Sequence, residues 1–348
     1  MSTVNIAGRY VGRTALDSFN AANNKKILAN MIRPIALVLA LILALSGCAI
    51  NDHLSPAASS PQEVRNFKIV GYITPAATLS LIDFSQVTHI NYAFLLPRKN
   101  GTLRPFGAPR HLQRTVELAH TAGARVLISV GGWGWDDEFE AMAATEKTRG
   151  RFVGLVVEFM KSYNLDGVDI DWEYPNAGTS AQNFLALMRE LRQALPQPVL
   201  LTTAVIARAG DADGILPEVF DQLDFVNVMA YDDGTGDHSS YTLAESAVRS
   251  WIARGLSPEK CVLGVPFYAR PGGVSYKKLF TYDKAASESD HLLYFTTEQF
   301  YNGPETLRKK TRLAMSEAGG IMIWELSQDA FEDDSLLKVI AETARTSP

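Results

Sequence analysis

Eight short apolar runs alternate with longer segments of helical period over residues 66–348, and this alternation constrains the fold more than any other feature. Several runs are almost continuous in Val, Ile and Leu, as in strands that are buried on both faces of a parallel sheet. The pattern predicts an α/β fold, the (β/α)8 barrel. A doubly wound open sheet is the alternative. The runs are 67–73, 87–96, 125–133, 167–174, 199–207, 225–232, 261–269 and 320–326.

Helix candidates separate these runs, at 111–122, 148–163, 181–194, 243–254 and 305–317. Catalytic residues of such a barrel lie where its strands end, because the loops that follow the strands converge there. Polar and aromatic residues accumulate at the ends of the third, fourth, sixth and eighth runs. The sequence therefore predicts a functional site at this end of the barrel.

Three carboxylates alternate with apolar residues in the fourth run, Asp166-Gly167-Val168-Asp169-Ile170-Asp171-Trp172-Glu173-Tyr174. Side chains alternate across a strand, so Asp169, Asp171 and Glu173 are expected on one face, about 6.6 Å apart along the strand. Their mutual repulsion and partial burial should raise at least one pKa. A general acid that works near neutral pH has this requirement.

Two other interpretations of the acidic run fit it poorly. A calcium-binding loop needs Gly at its sixth position and Glu at its twelfth, but counting from Asp169 these positions hold Tyr174 and Ser180. A solvated acidic strand would not interleave its carboxylates with Val, Ile and Trp.

The segment from Asp166 to Glu173 resembles the signature of glycoside hydrolase family 18, the chitinase family. The resemblance covers about residues 67–340 in the expected order. It includes Ser129, Gly131 and Gly132 in the third run, Met229, Tyr231 and Asp232 in the sixth, and the segments 89–94, 264–268 and 320–324.

This resemblance implies retaining, substrate-assisted hydrolysis of β-1,4 N-acetylglucosamine linkages in chitin or chitooligosaccharides. Glu173 would act as general acid and base, Asp171 would hold the substrate's acetamido group, and Asp169 would share a proton with Asp171. Tyr231 would orient the acetamido oxygen. Ser129 is expected to support the carboxylates from below. The candidates for substrate binding are Asp232, Trp324, Met229, Trp133 and Tyr268.

About 50 residues separate the seventh and eighth runs, too few for the full α+β subdomain that many chitinases of this family insert there. We therefore expect an open cleft and endo-acting cleavage. Two alternatives remain open: an endo-β-N-acetylglucosaminidase acting on N-glycan cores or peptidoglycan, and a non-catalytic lectin that binds chitooligosaccharides. Such lectins usually lack the terminal Glu of the signature, which is present here as Glu173.

The composition and net charge of the chain exclude some classes of binding partner. The net charge of −5 and the pI near 5.7 leave no excess of cations for a phosphate backbone, so nucleic acid is not expected. Two cysteines, Cys48 and Cys261, cannot form a disulfide framework. The family needs no cofactor and the sequence contains no recognisable metal site. We expect a monomer.

The N-terminal region predicts export. The apolar run 35–45 is shorter than the roughly 20 residues of a bilayer span but suits a signal peptide. Small residues before Cys48 resemble a bacterial lipoprotein signal, which would anchor Cys48 in the cell envelope, at the outer membrane or cell surface. The alternative is a short buried helix with a chance cysteine.

The expected organisation is a leader at 1–47, a tethering linker at 48–65 and a catalytic barrel at 66–348. Translation could start at Met31, or Lys25 and Lys26 could belong to a long basic region.

Overall fold

The computed structural model describes residues 67–234 and 236–346. Eight parallel strands form a closed barrel in the order β1-β12-β7-β6-β5-β4-β3-β2. The predicted barrel is confirmed, and the open-sheet alternative is wrong. The barrel strands are β1 (Lys68–Ile73), β2 (His89–Leu95), β3 (Arg125–Gly131), β4 (Gly167–Asp171), β5 (Leu200–Ile206), β6 (Phe225–Met229), β7 (Cys261–Pro266) and β12 (Gly320–Trp324).

Every barrel strand lies inside its predicted run, and the runs extend beyond the strands mainly at their C-terminal ends. The additional residues include 132–133 after β3, 172–174 after β4 and 230–232 after β6. Several of these residues leave the sheet to line a cleft, which the apolar and polar pattern alone does not distinguish from strand.

The described residues form all five predicted helices and three more. Each predicted helix begins one or two residues earlier than the pattern indicated, and Thr145 and Ser240 cap two of them through their hydroxyls. The helices are α1 (Pro109–Thr121), α2 (Asp136–Ala143), α3 (Glu146–Ser162), α4 (Thr179–Ala194), α5 (Tyr241–Ala253), α6 (Tyr276–Tyr282), α7 (Pro304–Glu317) and α8 (Leu336–Thr346). None of the helices within 67–234 and 236–346 is long and apolar enough to cross a membrane.

The connection from β7 to β12 is a compact insert rather than a full α+β subdomain. It contains α6, α7 and two small antiparallel sheets, one formed by β8 (Tyr268–Ala269) and β9 (Val274–Ser275) and the other by β10 (His291–Tyr294) and β11 (Thr297–Phe300). Arg270 and Phe300 exchange two backbone hydrogen bonds of 2.8 and 2.9 Å, which join the two sheets.

Side chains of the acidic strand divide between two layers of the core. Val168, Ile170 and Trp172 point outward into the layer between strands and helices, where Trp172 stacks on Phe139 of α2 at 5.1 Å. Asp169 is fully buried on the opposite face of the strand, inside the barrel. Because side chains alternate along a strand, the apolar side chains pack against the helices while Asp169 points into the barrel.

Candidate active site

The middle of the barrel interior is polar, whereas barrels of this type usually fill it with branched apolar side chains. Six buried polar side chains form this polar layer: Tyr72, Asn91, Ser129, Asp169, Thr202 and Asn227. They come from six different strands. Such a layer is costly to bury unless its members satisfy one another's hydrogen bonds.

Asp169 is the centre of the polar layer and accepts four side-chain hydrogen bonds. Its Oδ2 accepts from the hydroxyls of Tyr72 and Ser129, both at 2.8 Å. Its Oδ1 accepts from the hydroxyl of Thr202 at 2.5 Å and from the amide of Asn227 at 3.3 Å. Ser129 and Thr202 are the register neighbours of Asp169 on β3 and β5, which explains how short side chains reach it. Ser129 thus supports a carboxylate, as predicted.

The two aspartates of β4 have different environments. Burial raises the pKa of Asp169, but its four donors favour the ionised form and oppose that rise. The pKa of Asp171 is raised well above its usual range by burial and by the charges of Glu173 and Asp169. Its Oδ1 is buried and has no hydrogen-bond partner among the described residues. Of these two groups, Asp171 therefore has the environment that is less favourable for a negative charge.

Glu173 lies just beyond the end of β4 and lines the cleft above the polar layer. Burial raises the pKa of its carboxyl, the hydroxyl of Tyr174 lowers it through a hydrogen bond, and the charge of Asp232 raises it. The net effect is a rise, which favours the protonated form that a general acid needs.

A cleft of about 870 Å³ opens at the C-terminal end of the barrel. It brings together nearly all of the residues that the sequence singled out, while Asp169 lies beneath its floor. The predicted site residues that line it are Asp171, Glu173, Tyr231, Asp232, Trp324, Met229, Trp133 and Tyr268.

Asp232 is held by three partners on the cleft wall. Arg270 donates two hydrogen bonds to its carboxylate, at 2.8 and 2.5 Å, and the hydroxyl of Tyr268 donates a third at 2.7 Å. The buried ring of His238 contacts it through Nδ1 at 2.9 Å. Burial raises the pKa of Asp232, but these hydrogen bonds outweigh it and hold the pKa below the usual range. Asp232 is thus a fixed anion, and Tyr268 positions it.

Two glycines after β3 let the chain pass close to the acidic strand. Gly131 has φ +111°, and a Cβ on it would lie 2.3 Å from the carbonyl oxygen of Asp171. Gly132 has φ +88°, and its Cβ would meet the ring of Phe94. Both positions therefore require glycine for conformation and for space.

Several aromatic rings line the cleft. Trp324, at the end of β12, stacks on Phe94 at 5.6 Å and meets Tyr72 edge-on at 5.4 Å. It is half-buried, so part of it faces the cleft rather than the core. Trp133 is 79% exposed. Such rings offer flat apolar faces to the C–H side of a sugar.

Several side chains that contact the predicted site residues had no role in the sequence prediction. Tyr72, Thr202 and Asn227 support Asp169, Tyr174 contacts Glu173, and His238 contacts Asp232. Polar residues at inward positions of otherwise apolar strands were the available signal for Thr202 and Asn227. Arg270, which donates to Asp232, lies 38 residues away in the chain, so no local sequence pattern indicates this pair.

The fold and the cleft together define a glycosidase of the chitinase type. Residues 68–329 match the family model described as glycosyl hydrolases family 18. Because this match spans most of the chain, the protein belongs to glycosyl hydrolase family 18.

Similar proteins include Chitinase 1 of Aphanocladium album, 29% identical over 237 residues; the match covers 53% of this chain and 55% of that protein. Endochitinase 1 of Metarhizium robertsii is 28% identical, and the match covers 73% of this chain and 78% of that protein. Among solved structures, the GH18 chitinase ChiB from the chitin utilization locus of Flavobacterium johnsoniae aligns with a TM-score of 0.70 and 28% identity, over 80% of this chain and 94% of its own.

Proposed function

We propose that this protein is an endo-acting chitinase that cleaves β-1,4 N-acetylglucosamine linkages with retention of configuration, assisted by the substrate's acetamido group. The observation that carries the proposal is the buried, unpaired Oδ1 of Asp171 beside Glu173. An acetamido N–H is a donor that would satisfy this oxygen. An unpaired buried acceptor costs about 1–3 kcal/mol, so a substrate that pairs with it gains affinity and orientation together.

Two carboxylates of the cleft besides Glu173, those of Asp171 and Asp232, are poorly suited to act as a protein nucleophile. Asp171 has a strongly raised pKa, and Asp232 is fixed by Arg270 and Tyr268. A two-carboxylate retaining enzyme needs a free ionised carboxylate about 5–5.5 Å from its acid. These environments favour the substrate's own oxygen as the nucleophile.

In the proposed reaction, Glu173 donates its proton to the glycosidic oxygen as the bond from that oxygen to the anomeric carbon breaks. The acetamido carbonyl oxygen forms a bond to the anomeric carbon, giving a cyclic oxazolinium ion. Asp171 stabilises the positive charge on its nitrogen, and Tyr231 orients the acetamido group. Water then attacks the anomeric carbon, Glu173 takes its proton, and the ring opens with the original configuration.

The test uses residues 62–348 and the matched variant Glu173→Gln, which keeps the side chain's shape but cannot supply the proton. Both proteins are offered chitotetraose, a chitobiose-core glycopeptide and peptidoglycan, and the anomer first released is followed by NMR. We expect β-product from chitotetraose with the wild type only. Cleavage of the glycopeptide or of peptidoglycan, but not of chitotetraose, would identify that glycan as the substrate in place of chitin. Binding without cleavage by either protein would indicate a lectin.

We further propose that Cys48 is lipidated and tethers the barrel to the cell envelope through residues 49–61. Residues 1–66 lie outside the described part of the chain, so the support is the sequence pattern before Cys48. Mass spectrometry of the mature N-terminus from bacterial cells tests this. An acylated N-terminal Cys48 is expected, and Cys48 still joined to Gly47 would refute it.

A further inference from the structure

Three aromatic rings cluster outside the cleft, at the turn between β10 and β11. The ring centroids of Tyr282, Tyr294 and Phe295 are 4.6–5.2 Å apart in every pairing. Phe295 is 67% exposed and Tyr282 48%, and the adjacent Leu293 is 57% exposed. We call Tyr282, Tyr294 and Phe295 the aromatic tip.

Core packing explains only one member of the aromatic tip. Tyr294 is half-buried and packs against the main core, whereas the other two rings remain largely in water. Phe295 also has φ +53°, a left-handed conformation that is unfavourable for a bulky side chain and suits Gly or Asn. An exposed ring held in such a conformation is a candidate for binding rather than for stability.

The hairpin that carries Tyr294 and Phe295 begins at the cleft wall, and Tyr282 meets it from the end of α6. Phe300 of β11 shares two backbone hydrogen bonds with Arg270, and the Arg270 side chain holds Asp232 inside the cleft. From Phe300 back to Thr297, strand β11 extends about 10 Å at about 3.3 Å per residue, and the turn that contains Phe295 follows. The aromatic tip is therefore continuous with the cleft wall, but none of its three rings lines the cleft that contains Glu173.

The charges around the aromatic tip favour a neutral ligand. The segment 276–300 contains three lysines and four carboxylates, so it has no excess of cations that would attract an anionic lipid surface. N-acetylated sugars are uncharged and present flat C–H faces, which match exposed aromatic rings.

We infer that the aromatic tip is a second binding site for N-acetylglucosamine polymers, which holds insoluble chitin beside the cleft while the cleft cleaves a chain. This inference rests on the proposed function, since it assumes that chitin is the substrate. Soluble oligosaccharides would not need the site, because the cleft alone binds them.

Binding to insoluble chitin tests the inference, with all variants made on a Glu173→Gln background so that the polymer stays intact. The variant Phe295→Asn with Tyr282→Ala removes the two exposed rings, and Asn suits the left-handed turn, so folding is retained. Phe295→Leu keeps the apolar bulk without a flat ring. Phe331→Ala removes an exposed ring elsewhere and is the matched control.

We expect the double variant to weaken chitin binding about tenfold, as the loss of two ring contacts implies, with Phe295→Leu intermediate and Phe331→Ala unchanged. When the double variant is made with Glu173 intact, it should cleave soluble chitotetraose with kcat/KM within twofold of wild type. Equal chitin binding by the double variant and its parent would overturn the inference. The inference would also be overturned if the double variant kept its chitin binding but lost binding to vesicles of anionic phospholipid, or lost self-association in solution.

The two proposals fail in different ways. If the protein with Glu173 does not cleave chitotetraose, the proposed function is wrong, whatever the aromatic tip binds. If the protein cleaves chitotetraose but the double variant binds chitin as well as its parent does, only the proposal of a second binding site is wrong.

Discussion

The hydroxyl of Thr202 on β5 lies 2.5 Å from Oδ1 of Asp169 on β4, and this hydrogen bond crosses between neighbouring strands inside the barrel. Thr202→Val removes the donor at nearly constant volume, whereas Thr202→Ser keeps it. We expect Thr202→Val to lower kcat by about ten- to a hundredfold, since a hydrogen bond to a charged group contributes about 1.5–3 kcal/mol.

Losing this donor destabilises ionised Asp169 and so raises its pKa. The acidic limb of the kcat profile for Thr202→Val should therefore move to higher pH, and that of Thr202→Ser should not. Steady-state kinetics on chitotetraose across pH measure both effects. Identical profiles for the two variants would show that Thr202 serves packing alone.

The charge of Asp232 is expected to raise the alkaline limit of activity through its effect on the pKa of Glu173. Burial raises the pKa of Glu173, the hydrogen bond from Tyr174 lowers it, and the negative charge of Asp232 raises it. In Asp232→Asn that charge is lost, so the pKa of Glu173 falls and the acid form disappears at lower pH. The alkaline limb of kcat/KM should shift downward.

The matched control for Asp232→Asn is Glu158→Gln, which removes an exposed carboxylate from α3. It should leave the profile unchanged. An alkaline limb in Asp232→Asn that stays in place or moves upward would contradict the coupling.

Lys310 of α7 is fully buried and should give the protein a stability that rises with pH. Its ammonium donates to the carbonyl and hydroxyl oxygens of Ser239, at 2.6 and 2.8 Å, and to Asn302 at 2.7 Å. Burial nevertheless lowers its pKa to about 7. Between this value and the 10.5 of an unfolded lysine, the unfolded chain binds the additional proton, so raising the pH favours folding.

Urea unfolding of wild type and Lys310→Met from pH 6 to pH 10 isolates this contribution. The difference in unfolding free energy should increase in favour of wild type above pH 7, by up to about 1.4 kcal/mol per pH unit. The neighbouring exposed Lys309→Met should show no such slope. A flat difference for Lys310→Met would mean that its pKa is not depressed.

Two glycines should respond to alanine in opposite directions. Gly131→Ala places a Cβ 2.3 Å from a carbonyl oxygen at a positive φ, and should destabilise the fold by about 2 kcal/mol or more. Gly154 is exposed within α3 and a Cβ there meets nothing, so Gly154→Ala should stabilise the fold by about 0.5–1 kcal/mol. Thermal unfolding measures both, and the same sign for both changes would refute the assignment.

Periodicity made the barrel and the acidic strand predictable. A strand has a side-chain period of two, so the pattern from Val168 to Glu173 could assign the carboxylates and the apolar side chains to opposite faces. Both assignments hold for Asp169 and Trp172. Long amphipathic helices such as α3 were predicted for the same reason.

Features that depend on contacts between distant segments were not predictable. Tyr72, Thr202 and Asn227 reach Asp169 only because barrel closure brings their strands together. The partners of Asp232 come from β8 and from the loops after β6 and β8. Short elements such as α6 have too few turns for a periodic signal, and tertiary packing determines them.

The polar layer around Asp169 has a consequence for heat tolerance. Filling the barrel interior with branched apolar residues is the obvious way to strengthen such a fold, but here it would remove the groups that hold Asp169. Natural and engineered improvements are therefore confined to the outer layer, the helices and the loops, where side chains can change without touching the cleft. The centre of this barrel, which other barrels fill with apolar side chains, therefore cannot be repacked in that way without disturbing the cleft above it.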